Sequence, residues 1–127
     1  MPHALIVDDD RSNLGVLQEL LTLEGFTYTS VQDSTQVEAV IAEMESVDIV
    51  LLDLEMPDRN GYEIFRSLRE HPRMVNVPIV ACTIYSNEIL NVRDLGFEGF
   101  ISKPLDADRF GEQLAALMNG EGVWDAY

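Results

Sequence analysis

Residues 49–65, Ile49-Val50-Leu51-Leu52-Asp53-Leu54-Glu55-Met56-Pro57-Asp58-Arg59-Asn60-Gly61-Tyr62-Glu63-Ile64-Phe65, pass from an unbroken apolar run to an acid, through a turn-forming stretch, and into a helical pattern. A short run of Ile, Val and Leu with no polar alternation reads as a strand covered on both faces, placed here at Asp48–Asp53. Ile64, Phe65 and Leu68 recur at helical spacing, so Gly61–Glu70 is read as a helix, and Pro72 prevents much extension beyond it. Asp53 therefore stands where a buried strand gives way to a loop.

The same unit recurs on both sides. Further strands are expected at Ala4–Asp8, Thr27–Val31, Val77–Thr83 and Gly99–Ser102. Between them lie helices at Arg11–Glu24, with Val16, Leu17, Leu20 and Leu21 on its inner face and Gly25 as a stop signal, and at Asp33–Glu45, with Val37, Val40, Ile41 and Met44 inward. Two more follow: Asn87–Leu95, ending at Gly96, and Asp106–Met118, burying Phe110, Leu114 and Leu117. Leu14 and either Ile89 or Leu90 are left as exposed apolar contacts. Strict alternation of five strands and five helices predicts an α/β, doubly wound (βα)5 fold of the flavodoxin-like kind. Its five-stranded parallel sheet has the order 2-1-3-4-5, with helices on both faces. One domain is expected at 1–119, followed by an irregular tail at 120–127, in which Trp124 is either a hydrophobic latch against the body or the remnant of a linker.

Composition excludes several classes of function. The 127 residues hold 46% hydrophobic and 24% charged side chains, as in an ordinary globular domain. Eight Lys and Arg against 23 Asp and Glu give a formal net charge of -15, which repels nucleic-acid backbones and anionic lipid. No apolar stretch approaches the roughly 18 residues that span a bilayer, and no signal-peptide pattern opens the chain. The single cysteine, Cys82, lies within the apolar run Ile79-Val80-Ala81-Cys82 and reads as a buried thiol, which suits a reducing cytoplasm. His3 and His71 have no metal-ligand spacing and read as surface residues.

In a doubly wound sheet, ligands collect beyond the carboxyl ends of the strands at the switch in strand order. Asp8, Asp9 and Asp10 follow the first strand and Asp53 ends the third. With these strands adjacent, Asp8, Asp9 and Asp53 converge, and clustered carboxylates raise one another's pKa or require a cation. Oxygen ligands of this kind suit Mg²⁺, with Mn²⁺ as the alternative hard cation. Each acid also has a plainer role: Asp10, or Ser12 beyond it, as a helix cap, and Asp53 as an ordinary strand-terminal acid. Thr83 ends the fourth strand and Lys103-Pro104 follows the fifth, so a hydroxyl and an ammonium reach the same sheet edge. Pro104 restricts the preceding residues to extended geometry and admits a cis peptide that aims Lys103 inward.

Together, Leu5-Ile6-Val7-Asp8-Asp9-Asp10, Leu51-Leu52-Asp53-Leu54-Glu55-Met56-Pro57 with Gly61, Thr83 and Lys103-Pro104 resemble the motifs of response-regulator receiver domains, in the family's order and over essentially the whole chain. The resemblance implies a stand-alone bacterial two-component phosphoacceptor, not a turnover enzyme. Asp53 matches the phosphoacceptor, Asp9 a direct Mg²⁺ ligand, Asp8 its acidic partner, and Glu55 the position whose backbone carbonyl completes the metal site. Lys103 matches the lysine that contacts the phosphoryl group, Thr83 the switch hydroxyl, and Phe100 the aromatic that moves with it. Pro57, Gly61 and Pro104 match structural positions. The implied partners are a sensor histidine kinase or histidine phosphotransfer protein and a downstream effector, with no direct nucleic-acid or membrane contact, the chain being a monomer or a phosphorylation-dependent dimer.

Three residues depart from the family's pattern. Ile84 stands where a small side chain is usual, narrowing access to Asp53. Glu55 adds a carboxylate beside the site, and Phe100 lacks the hydroxyl of the commoner tyrosine. A rival reading takes Asp8-x-Asp10 as a faint resemblance to the haloacid-dehalogenase nucleophile motif, with Asp8 attacking a phosphate ester. A second keeps the fold as an interaction domain that is no longer phosphorylated.

Overall fold

A computed structural model describes residues 1–125. Its elements are β1 (His3–Val7), α1 (Arg11–Leu23), β2 (Thr27–Val31), α2 (Val37–Glu43), β3 (Ile49–Leu52), α3 (Gly61–Glu70), β4 (Ile79–Thr83), α4 (Ile89–Leu95), β5 (Gly99–Ser102), α5 (Ala107–Met118) and β6 (Val123–Asp125). Single 3₁₀ turns at Ser34–Gln36 and Ser86–Glu88 lead into α2 and α4, so these two helices are shorter than their apolar periodicity suggests.

The sheet is parallel throughout, in the order β2-β1-β3-β4-β5-β6. The expected five strands are present in the expected order, and a sixth corrects the count: Val123–Asp125 pairs with β5 where the tail was expected to be irregular. Three residues after a Gly-containing turn give little periodicity to read. Once β5 is exposed at the edge, however, its unpaired backbone groups reward any extended segment that reaches them.

Every residue of β3, β4 and β5 is buried, as runs covered on both faces require. One core, under α2, α3 and α4, contains Val7, Ile41, Leu52, Ile64, Phe65, Val92 and Phe100. The other, under α1 and α5, contains Ile6, Leu17, Leu21, Leu51, Ile101, Phe110 and Leu114. In α1 the inward stripe is Leu14, Leu17, Leu20 and Leu21, whereas Val16 is exposed. This reverses the expected roles of Leu14 and Val16. Leu14 lies three and seven residues before Leu17 and Leu21, on the same helical face, while Asp10 caps the helix start by accepting the Ser12 and Asn13 N–H groups. Leu90 is exposed, as expected for one of the two candidate contacts on α4, and Ile89 packs partly against the core.

Strand-end hydrogen bonds fix the carboxyl edge. The Asp53 N–H donates to the Val7 carbonyl at 2.9 Å, the Asp8 N–H to Val31 at 3.1 Å and the Lys103 N–H to Thr83 at 2.9 Å. The residues of chemical interest thus hang from a hydrogen-bonded frame rather than from free loops.

Candidate functional site

Asp8 and Asp53 leave adjacent strands, β1 and β3, and both are buried, with Asp9 half-buried beside them. One carboxylate oxygen from each of Asp8, Asp9 and Asp53 lies within 4.8 Å of the others. Lys103 reaches this cluster from the end of β5, its Nζ 2.6 Å from Asp8 Oδ2 and 3.6 Å from Asp53 Oδ1. The Lys103-Pro104 peptide is cis, as the sequence allowed.

One ammonium faces three acids, so negative charge remains in excess. Burial is the main influence pushing the Asp53 carboxyl up, to about 6. Lys103 pulls it down, while Asp8 and Asp9 raise it. For Lys103, burial opposes the charge, but the Asp8 hydrogen bond and the Asp53 and Asp8 charges outweigh it and leave the ammonium firmer than usual. The excess charge and the oxygen donor set fit a hard divalent cation, held by Asp8, Asp9 and Asp53.

Both oxygens of Asp8 are engaged: Oδ1 accepts the Asp10 N–H at 2.9 Å and Oδ2 accepts Lys103. Asp10 points into the helix start as its cap.

Thr83 is buried, on the same sheet face as Ala81 and Phe100, and its Oγ1 accepts the Tyr85 N–H at 3.2 Å. Ile84 is 64% exposed, outside the core and beyond the strand end. Glu55 is exposed on the loop after Asp53, beside Met56 and Pro57. Phe100 is fully enclosed in the core, with Trp124 paired beside it. Cys82, buried and facing the other core, has its thiol pushed up to about 12 by burial and is chemically quiet.

Two features of the site were not read from the sequence. Arg59 donates to both oxygens of Glu38, at 2.7 and 2.6 Å, and to the Ser34 carbonyl at 3.2 Å. The Ser67 hydroxyl also donates to Glu38, and Ser34 donates to the Pro57 carbonyl. The β3–α3 loop is thereby clamped to the start of α2. Nothing in the spacing of Glu38 and Arg59 signals this pairing, since it depends on a loop meeting the first turn of a helix. The second is Gly61, noted only as a motif position: a Cβ there would lie 2.4 Å from the Asp53 carbonyl oxygen and 2.7 Å from Leu54 Cα.

The profile of the family described as the response regulator receiver domain matches residues 4–115. The chain belongs to that family. The receiver is 32% identical to the transcriptional regulatory protein CpxR of Klebsiella pneumoniae over 93% of its own length, and it spans half the length of that relative. It is 26% identical to the polar-differentiation response regulator DivK of Brucella ovis, over 90% of its length and 94% of DivK. Among solved structures, the receiver domain of the sensor histidine kinase PA1611 from Pseudomonas aeruginosa, determined with a magnesium ion coordinated in its active-site cleft, superposes with a TM-score of 0.81 at 26% identity, covering 93% of this chain and 98% of that one. The likeness extends over both halves of the carboxyl edge. No helix among the described residues is long and apolar enough to cross a membrane.

Proposed function

We propose that this receiver accepts a phosphoryl group on Asp53 from the phosphohistidine of a sensor kinase or phosphotransfer protein, in a Mg²⁺-dependent reaction, and signals through a change of surface. The observation that carries this reading is the placing of the Asp53 carboxylate between two further acids and the Lys103 ammonium, at the floor of the carboxyl edge.

Burial leaves the Asp53 carboxylate poorly hydrated, a reactive state for an oxygen nucleophile. An Asp53 oxygen forms a bond to phosphorus as the phosphorus–nitrogen bond of the donor imidazole breaks. The imidazole leaves with the bonding electrons and regains a proton, and an acyl phosphate remains on Asp53. Lys103 sits where its ammonium can contact a phosphoryl oxygen. Asp8, Asp9, Asp53 and the Glu55 backbone carbonyl would hold the ion, which when bound would supply positive charge against the phosphoryl oxygens.

Thr83, whose Oγ1 accepts the Tyr85 N–H, then turns to donate its hydroxyl hydrogen to a phosphoryl oxygen, and the core beside Phe100 repacks. Exposed Ile84 and Glu55 shield the acyl phosphate from water and slow its loss. The chain acts as a signalling phosphoacceptor in the cytoplasm, handing its state to an effector protein. The unpaired, buried Cys82 agrees with a reducing compartment.

Incubation with acetyl phosphate and Mg²⁺, read by intact mass, tests the proposal. One added phosphoryl group that disappears in Asp53→Asn is expected. Modification that survives Asp53→Asn, or a wild type that gains nothing from either a small donor or phosphorylated kinase, would overturn it.

A further inference from the structure

Segment 119–125 packs on the face formed by β5, α4 and α5. β6 pairs in parallel with β5, with Phe100 opposite Trp124 and Ile101 opposite Asp125. Its side chains alternate as a strand's must. Val123 packs with the α1 and α5 core, and Trp124 packs against the core containing Phe100 and Val92. The Arg93 guanidinium of α4 lies 5.0 Å from the centre of the Trp124 ring. Asp125 accepts hydrogen bonds from Arg109 at 3.0 Å and Gln113 at 2.7 Å, both on α5. Three residues thus tie α4, β5 and α5 together. The turn before them is specialised: Gly120 has φ +80°, and a Cβ at Gly122 would lie 2.6 Å from Trp124 Nε1.

On this face Phe100 stands between β4, which ends in Thr83, and β6, which carries Trp124. Because Phe100 is already fully enclosed, it has no exposed position to leave. Trp124, its partner on β6, is only partly buried. We propose that residues 123–125 form a strand latch that reads the state of Asp53 through Thr83 and Phe100. This rests on Asp53 being the phosphoacceptor. When Thr83 moves toward the phosphoryl group, Phe100 shifts into the space it leaves. Trp124 loses packing that a gap cannot replace, and a three-residue edge strand, held by few contacts, loosens.

Coupling of this kind is reciprocal, so loosening the latch must favour the phosphoryl-bound state by the same factor. The full chain is treated with acetyl phosphate and Mg²⁺, and amide exchange across 119–125 is followed by mass spectrometry beside the intact mass. Fluorescence anisotropy of Trp124, the chain's single tryptophan, is read in parallel. A gain of one phosphoryl group with faster exchange at 123–125 and lower anisotropy supports the latch. The same gain with unchanged or slower exchange overturns the latch and leaves Asp53 as phosphoacceptor. No gain from acetyl phosphate or from a phosphorylated kinase removes both. Asp125→Asn, which leaves the core untouched, provides the converse: its affinity for beryllium fluoride, a phosphoryl mimic, should rise roughly 5-fold or more, and an affinity equal to wild type overturns the coupling.

Discussion

Lys103 is bound more closely to Asp8, at 2.6 Å, than to Asp53, at 3.6 Å. Asp8, 1% exposed, is therefore the acid whose burial depends on this ammonium, and Asp53 is left with weaker compensation. Lys103→Met keeps the length of the side chain but strands the Asp8 charge. Removing one partner of a buried pair typically costs about 3–5 kcal/mol, and a loss toward the lower end is expected because Asp9 and the cleft mouth admit some water. A urea midpoint lowered at unchanged slope is the expected result. A midpoint equal to wild type would show that Asp8 does not need the pair.

Asp53 is predicted to weaken the fold at neutral pH. Its carboxyl lies at about 6 in the folded chain against 3.8 for an ordinary aspartate, chiefly through burial. Between those values the folded state holds the proton that the unfolded state has lost, so stability falls as pH rises from about 4 to about 6, and the penalty is complete above that. Asp53→Asn should therefore be the more stable protein at pH 7 without divalent cation, by on the order of 2 kcal/mol. The gap should close toward pH 4 and narrow on adding Mg²⁺. Thermal melts at pH 4 and pH 7 decide it, and a gap that widens toward acid would contradict the assignment.

The acids, Thr83 and Lys103 were legible in the sequence because strand ends in a doubly wound sheet converge by topology alone, and topology follows from the alternation of apolar runs and helical patterns. Leu14 was misplaced because Val16, Leu17, Leu20 and Leu21 also read as one helical stripe, and the choice between Leu14 and Val16 at its edge depends on how α1 packs against the sheet. β6 escaped because Val123-Trp124-Asp125 is too short for a period to show, and its partner is an edge created only once β5 is in place. The Arg59–Glu38 pairing escaped because it joins residues 21 positions apart, one on the loop after β3 and one in the first turn of α2. Such contacts depend on how the elements pack, which the sequence pattern does not state.

Gly61 is required by a close approach rather than by an unusual dihedral. Its N–H donates to the Leu54 carbonyl at 2.9 Å, and a Cβ would meet backbone atoms of Asp53 and Leu54 that no rotamer can move. Gly61→Ala must displace either the start of α3 or the end of β3, at a cost of about 2 kcal/mol or more by the usual scale of overpacking. Displacing β3 also moves Asp53. The variant should show a lowered melting temperature and a reduced rate of phosphoryl gain from acetyl phosphate together. A normal rate in a folded but destabilised variant would show that α3 alone absorbs the strain.

The Glu38 carboxyl is held down to about 2, chiefly by the Arg59 hydrogen bonds, against 4.5 for an ordinary glutamate. A depressed carboxyl adds stability that is fully present above the unfolded value and is lost as pH falls from about 4.5 toward about 2. The Glu38 side chain is 37% exposed, so solvent screens the pair, and about 1 kcal/mol or less is its expected worth. Glu38→Gln should lower the urea midpoint slightly at pH 7 and match wild type near pH 2. Its larger effect should be on position, because Arg59 and Ser34 tether the loop that carries Glu55 and Pro57. Amide exchange at 55–60 should quicken in Glu38→Gln even at pH 7. Exchange there as slow as in wild type would mean that the Gly61 packing and the Asn60–Glu63 capping box hold the loop without the clamp.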